Sequence, residues 1–508
     1  MAADERRGPD VRTAVGRLRG SREAGIAVFR GIPFAEPPVG GLRFAEPRPA
    51  PGWTGVREAV AFGPPPPQGG HFGMDVLASD PTGDDWLTLN VWSPDPGPDA
   101  GLPVMVWIQG GAYVIGMSGL PEYDGVRLAR DGGVVVVTFN HRVGVEGFAQ
   151  IEGAQANRGL LDQVAALEWV HDHIRAFGGD PDRVTVFGQS AGGGSVAALL
   201  AMDRASGLFR RAIAQSMPGT FFSPDLAADI AATCAAELGL GPTVADLAAV
   251  DPRRLSAAAD TVGVTMDQRV DRWGRPAYRL IPFSPVVDGE VLAVTPWQAL
   301  IDGAGRDVDL LVGHTRDEQR LFTALDGLLG EVSEEQAAQA LQILAPGPDG
   351  DRGYRDAFPS AGPDELYELV HSDWLFRMPS LQLAEAQTAA GRRAHVYELA
   401  WPAPGLGGVF GACHGLDVPL VFGNLDRGQP AMLIGDAPSP EALALSAQML
   451  SAWASYATHG DPGWPAYDTE QRPVQRFDTE SAVVAYPEER SRRIWQHHIF
   501  PVLPLLGA

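Results

Sequence analysis

The sequence of 508 residues contains no lysine, so all 39 of its lysine-plus-arginine residues are arginine. That absence removes the Schiff-base lysine, the lysine of a phosphate-binding loop and the serine–lysine dyad from consideration. Cysteine is scarce too: Cys234 and Cys413 are the only two, too few for a disulfide framework or a thiolate zinc site. No apolar run approaches the length of a membrane span. The opening residues, MAADERRGPDVRTAVGRLRG, hold no apolar block of the kind a secretory signal requires. The expected location is therefore cytoplasmic, with no membrane contact. Positive charge is in deficit, with a formal net charge of −24 and no basic cluster, which argues against a nucleic-acid partner. Acidity of this kind keeps a large surface soluble.

What is present describes a folded protein, with 45% hydrophobic and 20% charged residues. Apolar, β-rich runs recur at 102–108, 134–139, 184–187, 210–216, 309–313 and 394–399. Near-continuous apolar strands separated by helices predict a sheet buried on both faces, an α/β architecture with a mostly parallel sheet. Between two of these runs Leu160, Val164, Leu167, Val170 and Ile174 recur at helical spacing, as in a crossover helix with one face on the sheet. The proline-rich pieces FAEPPVGGLRFAEPRPAPGW and FGPPPPQGG lie between ordered-looking segments and read as surface loops. No internal repeat and no clear linker divides the chain. It is expected to form one domain over 1–508, with cap insertions around 223–345 above the sheet.

The stretch VTVFGQSAGGGS, 184–195, places a lone serine between a strand and a helix, among glycines and an alanine. A G-x-S-x-G turn in that setting holds Ser190 in a strained backbone position beyond the sheet edge, where the following helix favours developing negative charge. A serine hydroxyl needs an imidazole to take its proton and a carboxylate to orient that imidazole. In the serine, acid, histidine order typical of this turn, Asp317 and Glu318 follow a strand, and His414 sits in a glycine-flanked loop. His371, His395, His459, His497 and His498 also follow the acids. His395 falls inside a strand pattern, and the last two lie beside charged residues near the end of the chain. His171 and His173, two apart on a helix, share no face for a metal. Oxyanion donors are expected from Ala191 and from WIQGGAYVIG, where Gly110, Gly111 and Ala112 leave their amides accessible.

Together these residues resemble the type-B carboxylesterases of the α/β-hydrolase fold, a family that includes para-nitrobenzyl-esterase-like enzymes and, more distantly, the cholinesterases. The resemblance is carried in order by FRGIPFAEPPVGGLRF, DDWLTLNVWSP, PVMVWIQGGAY, FNHRVGVEGF, NRGLLDQVAALEWV, FGGDPDRVTVFGQSAGG, PVVDGEVL, TRDEQRLF, GACHGLDVPLVFG and HGDPGWPAY. It implies a bacterial-type esterase with Ser190 as nucleophile, Glu318 rather than Asp317 as the acid, His414 as general base, and Gly111, Ala112 and Ala191 as the oxyanion hole. The sequence departs from the family pattern at Gln189, where Glu usually stands, at Gln109, where His or Tyr precedes the glycines, and at Gln319, where Gly follows the acid. Trp86 and Pro64–Pro67 occupy the region where eukaryotic members keep a disulfide.

The expected activity is two-step ester hydrolysis on short- or medium-chain acyl or aryl esters, with no cofactor and no metal. Partners are the ester and water, and the chain is expected as a monomer or small homo-oligomer. Tyr113, Phe221, Phe222, Trp374 and Phe376 are candidate walls of an apolar cleft. The alternatives are a non-catalytic binding protein, an acyltransferase, or a hydrolase of polyester fragments using the same site.

Overall fold

The computed structural model describes residues 8–70, 83–435 and 437–507, so residues 1–7 of the stretch examined for a leader lie outside the described residues. Its centre is an eleven-stranded sheet made of β1 (Ser21–Glu23), β2 (Ile26–Pro33), β3 (Thr88–Ser93), β4 (Leu102–Ile108), β5 (Val135–Phe139), β6 (Gly179–Gln189), β7 (Arg211–Gln215), β8 (Asp309–Thr315), β9 (Ala394–Leu399), β10 (Pro473–Phe477) and β11 (Ala482–Ala485). The spatial order is 11-10-9-8-7-6-4-5-3-2-1. Pairing is parallel from β10 across to β5 and antiparallel at both edges. Each of the six apolar runs read from the sequence supplies one strand of the parallel part.

The side-chain period of two explains the two-sided core. Val104, Val106 and Ile108 of β4, Val184 and Val186 of β6, and Leu310 and Val312 of β8 point to one face. Met105 and Trp107, Phe187, and Leu311 of the same strands point to the other. The first face is covered by α2 (Arg158–His173), α3 (Ala191–Ala201), α4 (Pro296–Asp302) and α5 (Met378–Ala389). The second is covered by α1 (Val126–Gly132), α6 (Asp417–Phe422) and α7 (Pro440–His459). The crossover helix α2 buries Leu160, Val164, Leu167 and Val170 at the spacing read from the sequence, and a 3-10 turn, Ile174–Phe177, ends it. Within the stretch 223–345, residues 309–315 are β8 of the central sheet, while 224–278 form short helices outside it.

Parallel strands send their carboxyl ends to one edge, and ligands in open α/β sheets bind in the crevice there. The loops after β4, β6, β8 and β9 all open onto that edge. Two buried arginines brace the segments beside it. Arg142, just after β5, donates from Nε and Nη2 to the two oxygens of Asp162 on α2 at 2.9 and 2.7 Å, and from Nη1 to the Ala45 carbonyl at 2.8 Å. Both side chains are buried. Arg158 donates to the backbone carbonyls of Glu146, Gln155, Val145 and Ala149.

Removing one partner of a buried ion pair strands the other charge without solvent, at a cost of about 3–5 kcal/mol. Arg142→Met is therefore expected to lower the midpoint of thermal denaturation sharply, and adding Asp162→Leu to recover part of the loss. A single variant as stable as the parent, read by circular dichroism, contradicts the assignment of this pair as a brace.

Candidate active site

The site is built on the turn between β6 and α3. Ser190 has φ 58° and ψ −127°, a conformation that L side chains rarely adopt. Its N–H donates to the Gln215 carbonyl of β7 at 2.9 Å, and its carbonyl accepts from Gly194 at 2.9 Å, which starts the helix. The turn closes because Gly188 and Gly192, two residues away on either side, have no side chains. A Cβ on Gly188 would stand 2.6 Å from the Gly192 backbone, and one on Gly192 would overlap the Ile108 carbonyl of β4. Backbone thus packs on backbone, and the strain at Ser190 is held by the strands on either side.

Beside the turn runs the loop after β4. Gly111, Ala112 and Tyr113 take φ values of 117°, 53° and 61°, so three successive residues bend in the left-handed sense. Two are not glycine, a costly arrangement that persists where the surroundings over-determine it. Among the described residues the N–H groups of Gly111, Ala112 and Ala191 donate to no acceptor within the protein. Gly110 lies against the serine, with a built Cβ there 3.2 Å from Ser190 Cβ. Gln68 clasps the far end of the loop, accepting from the Gly116 N–H at 2.7 Å and donating to its carbonyl at 3.1 Å. The proline run before Gln68, read as a surface loop, instead buries Pro66 and Pro67, because the clasp draws Gln68 beneath the loop.

Glu318 follows β8 and His414 follows β9, and the structure brings them together. His414 Nδ1 lies 2.5 Å from Glu318 Oε2, and the Thr315 N–H donates to Oε1 at 2.9 Å. Glu318 is fully buried and His414 nearly so. Burial raises the Glu318 pKa, but the adjacent His414 and the hydrogen bonds from it and from Thr315 outweigh burial and hold the carboxyl below its usual value. An ionised Glu318 selects the imidazole tautomer with its proton on Nδ1, leaving Nε2 as an acceptor. That acceptor is met by the Gln189 amide at 3.1 Å rather than by the Ser190 hydroxyl. Asp317 turns elsewhere: its Oδ2 accepts from the Ala412 N–H at 2.8 Å and so steadies the loop that carries His414.

The remaining sequence candidates fall outside this cluster or form its wall. Phe376 stacks on His414 with centroids 4.3 Å apart, and Phe322, which the sequence reading did not single out, lies 5.3 Å from the same ring. Phe376 owes its position to a π-helical turn, Asp373–Arg377, between two α-helices, a feature recurrent at functional sites. Phe221, Phe222 and Trp374 are buried in the core, and Tyr113 packs on Phe148. His395 lies on β9, and His371 is buried against the Tyr367 carbonyl. Gln109 is buried, with no hydrogen-bond partner for either amide atom among the described residues. Trp86 is buried as well. Gln68 is a contact the sequence reading missed, for which a single polar residue closing a proline run was the available signal; Gln189, singled out as a departure from the family pattern, is the residue that meets the His414 ring.

Comparison with known proteins gives the family and the fold. The profile of the carboxylesterase family matches residues 7–345. A para-nitrobenzyl esterase of Bacillus subtilis is 37% identical over 498 residues, covering 95% of this chain and 97% of that protein. A phenmedipham hydrolase of Pseudarthrobacter oxydans is 35% identical over 493 residues, covering 94% and 96%. Among solved structures, a carboxylesterase of Geobacillus stearothermophilus superposes with a TM-score of 0.84 at 37% identity, covering 96% of this chain and all of that one. The fold is the α/β-hydrolase fold. Among the described residues no helix is long and apolar enough to cross a membrane.

A carboxylate at position 189 would face the His414 ring and favour its charged form. Gln189→Glu is therefore expected to move the acid limb of the kcat/KM profile to higher pH, because a ring that holds its proton more tightly needs a higher pH to act as base. An acid limb that stays in place, or moves to lower pH, in rates measured from pH 5 to 9 contradicts the contact.

Proposed function

Because this chain belongs to the carboxylesterase family and is an ester hydrolase, we propose that it cleaves short- and medium-chain acyl or aryl esters through a covalent acyl-enzyme on Ser190. His414 serves as general base and Glu318 as the acid that orients it. The observation that carries the reading is the 2.5 Å contact between His414 and the buried Glu318, beside the left-handed turn at Ser190. In the first step His414 Nε2 exchanges its Gln189 contact for the Ser190 hydroxyl and takes its proton as Oγ attacks the ester carbonyl. The oxyanion is received by the amides of Gly111, Ala112 and Ala191, which have no acceptor within the protein among the described residues. Glu318 stabilises the imidazolium, which then protonates the departing alcohol. Water, activated by the same base, releases the acid.

Phe376 and Phe322 against His414 give the cleft an apolar wall suited to such esters. The whole chain is read as one domain with cap insertions around 223–345, a stretch that includes the short helices of 224–278 and, at 309–315, a strand of the central sheet. A reducing, cytoplasmic setting fits Cys234 and Cys413, both free and buried.

The test is p-nitrophenol release from p-nitrophenyl esters, acetate through octanoate, by the parent and by Ser190→Ala. Turnover by the parent, with a loss of several orders of magnitude in the variant, is the expected result. Equal, background-level rates in both would overturn the reading and return the non-catalytic binding protein to the front.

A further inference from the structure

Gln319 stands directly after the acid, and its side chain does not face the acid. Its Oε1 accepts from Arg279 Nη2 at 2.8 Å, while its Nε2 reaches Thr323 Oγ1 at 3.4 Å. Arg279 belongs to the loop after the short helix Arg275–Tyr278 and is half-buried. Among the described residues it forms no ion pair within 4.0 Å, and its buried Nε has no hydrogen-bond partner. A half-buried guanidinium with a single neutral acceptor is unusual, since buried charges are ordinarily paired. Loss of solvation pulls its pKa below the usual arginine value, the mark of a cation that its surroundings do not fully compensate.

The position of this cation relative to the catalytic machinery is set by one ring. Arg279 Cζ lies 6.0 Å from the Phe322 centroid, and the same ring lies 5.3 Å from His414. Arg279 and His414 therefore both lie against Phe322. Tyr278 stacks on His371 with centroids 5.8 Å apart and Tyr367 lies 4.0 Å from the same ring, and the fields of both phenols reach Arg279. Asp326, on the exposed turn after Phe322, is a carboxylate whose field also reaches Arg279. Burial raises the pKa of Asp326 and that of both phenols, which leaves the tyrosine hydroxyls neutral donors.

We propose that Arg279, held by Gln319 against the Phe322 ring, is an anion subsite, and that the preferred esters carry a carboxylate several bonds from the scissile carbonyl. This rests on the esterase reading above and adds the substrate class. A planar guanidinium matches a carboxylate in two parallel hydrogen bonds. The net charge of −24 opposes such a substrate at long range, but salt screens that field beyond about 8 Å, whereas the guanidinium acts at contact. Gln319 gives the arrangement its reason: a glycine there could not hold the arginine against Phe322.

The test compares two chain-matched esters, monoethyl adipate and ethyl hexanoate, in the parent, Arg279→Met and Arg279→Lys, by pH-stat. The quantity read is the ratio of kcat/KM for the anionic ester over the neutral one, in which any loss of folded protein cancels. The ratio is expected to fall about tenfold or more in Arg279→Met, the size of a lost charge-assisted pair, and to recover in part in Arg279→Lys. A ratio unchanged by Arg279→Met, or both esters losing equal activity, overturns the subsite and leaves Arg279 a structural brace. Should the parent hydrolyse neither ester, the esterase reading fails separately. The subsite is then read by calorimetric binding of monoethyl adipate to Ser190→Ala with and without Arg279→Met: weakened binding upholds it, and equal or absent binding overturns it.

Discussion

The arrangement at the carboxyl edge of the sheet depends on backbone packed directly on backbone at the β6–α3 turn. Ser190 can keep its left-handed conformation because Gly188 and Gly192 let the turn press against Ile108 of β4, and because the Gln215 carbonyl of β7 receives its N–H. A side chain at either glycine would push the turn away from the sheet, and with it the loop of Gly110–Gly116 that leans on Ser190. The strain is local, and the two neighbouring strands that enforce it are among the most buried parts of the molecule. The contact that closes the turn thus also fixes where the Gly110–Gly116 loop lies against Ser190.

Charge is handled beneath the surface by arginine throughout. Arg142 and Arg158 are both fully buried, and each spreads its donors over several acceptors: a bidentate carboxylate and a carbonyl in one case, four carbonyls in the other. A compact ammonium could not satisfy so many fixed carbonyls from one position, which makes the absence of lysine intelligible at these sites. At the active site the logic is reversed. Glu318 is buried as an anion and depends on His414 and Thr315 for compensation, while the neighbour facing the other side of the ring, Gln189, is neutral. The imidazole thus lies between one negative and one neutral partner, an asymmetry that favours a proton on Nδ1 in the resting protein.

Glutamines recur where the family pattern differs, and each has a distinct physical role here. Gln189 donates to His414 Nε2, Gln319 holds Arg279, and Gln109 is buried beside Gly116 without a hydrogen-bond partner among the described residues. The first two couple the surroundings of His414 to polar groups outside the usual set, and Phe322 connects them, since its ring touches both His414 and Arg279. The side of His414 packed on Phe322 and Phe376 is therefore apolar, with Arg279 on the Phe322 ring beyond.

What the sequence by itself determined follows from short-range physics. Near-continuous apolar runs and a helical pattern marked six of the seven parallel strands and the α2 crossover, and a serine among small residues marked the turn, because backbone sterics and burial act over a few neighbours. Between the two adjacent carboxylates, Asp317 and Glu318, the residues themselves left the choice open, and only the resemblance to the family favoured Glu318. Tertiary structure alone decided the rest: that Asp317 braces the loop of His414 while Glu318 meets its ring, that a π-turn brings Phe376 onto that ring, that Gln68 reaches from a proline run to clasp Gly116, and that Gln189 rather than Ser190 contacts Nε2. Each of these joins segments distant in the chain, or turns on the rotation of one side chain, and neither leaves a periodic trace in composition or spacing.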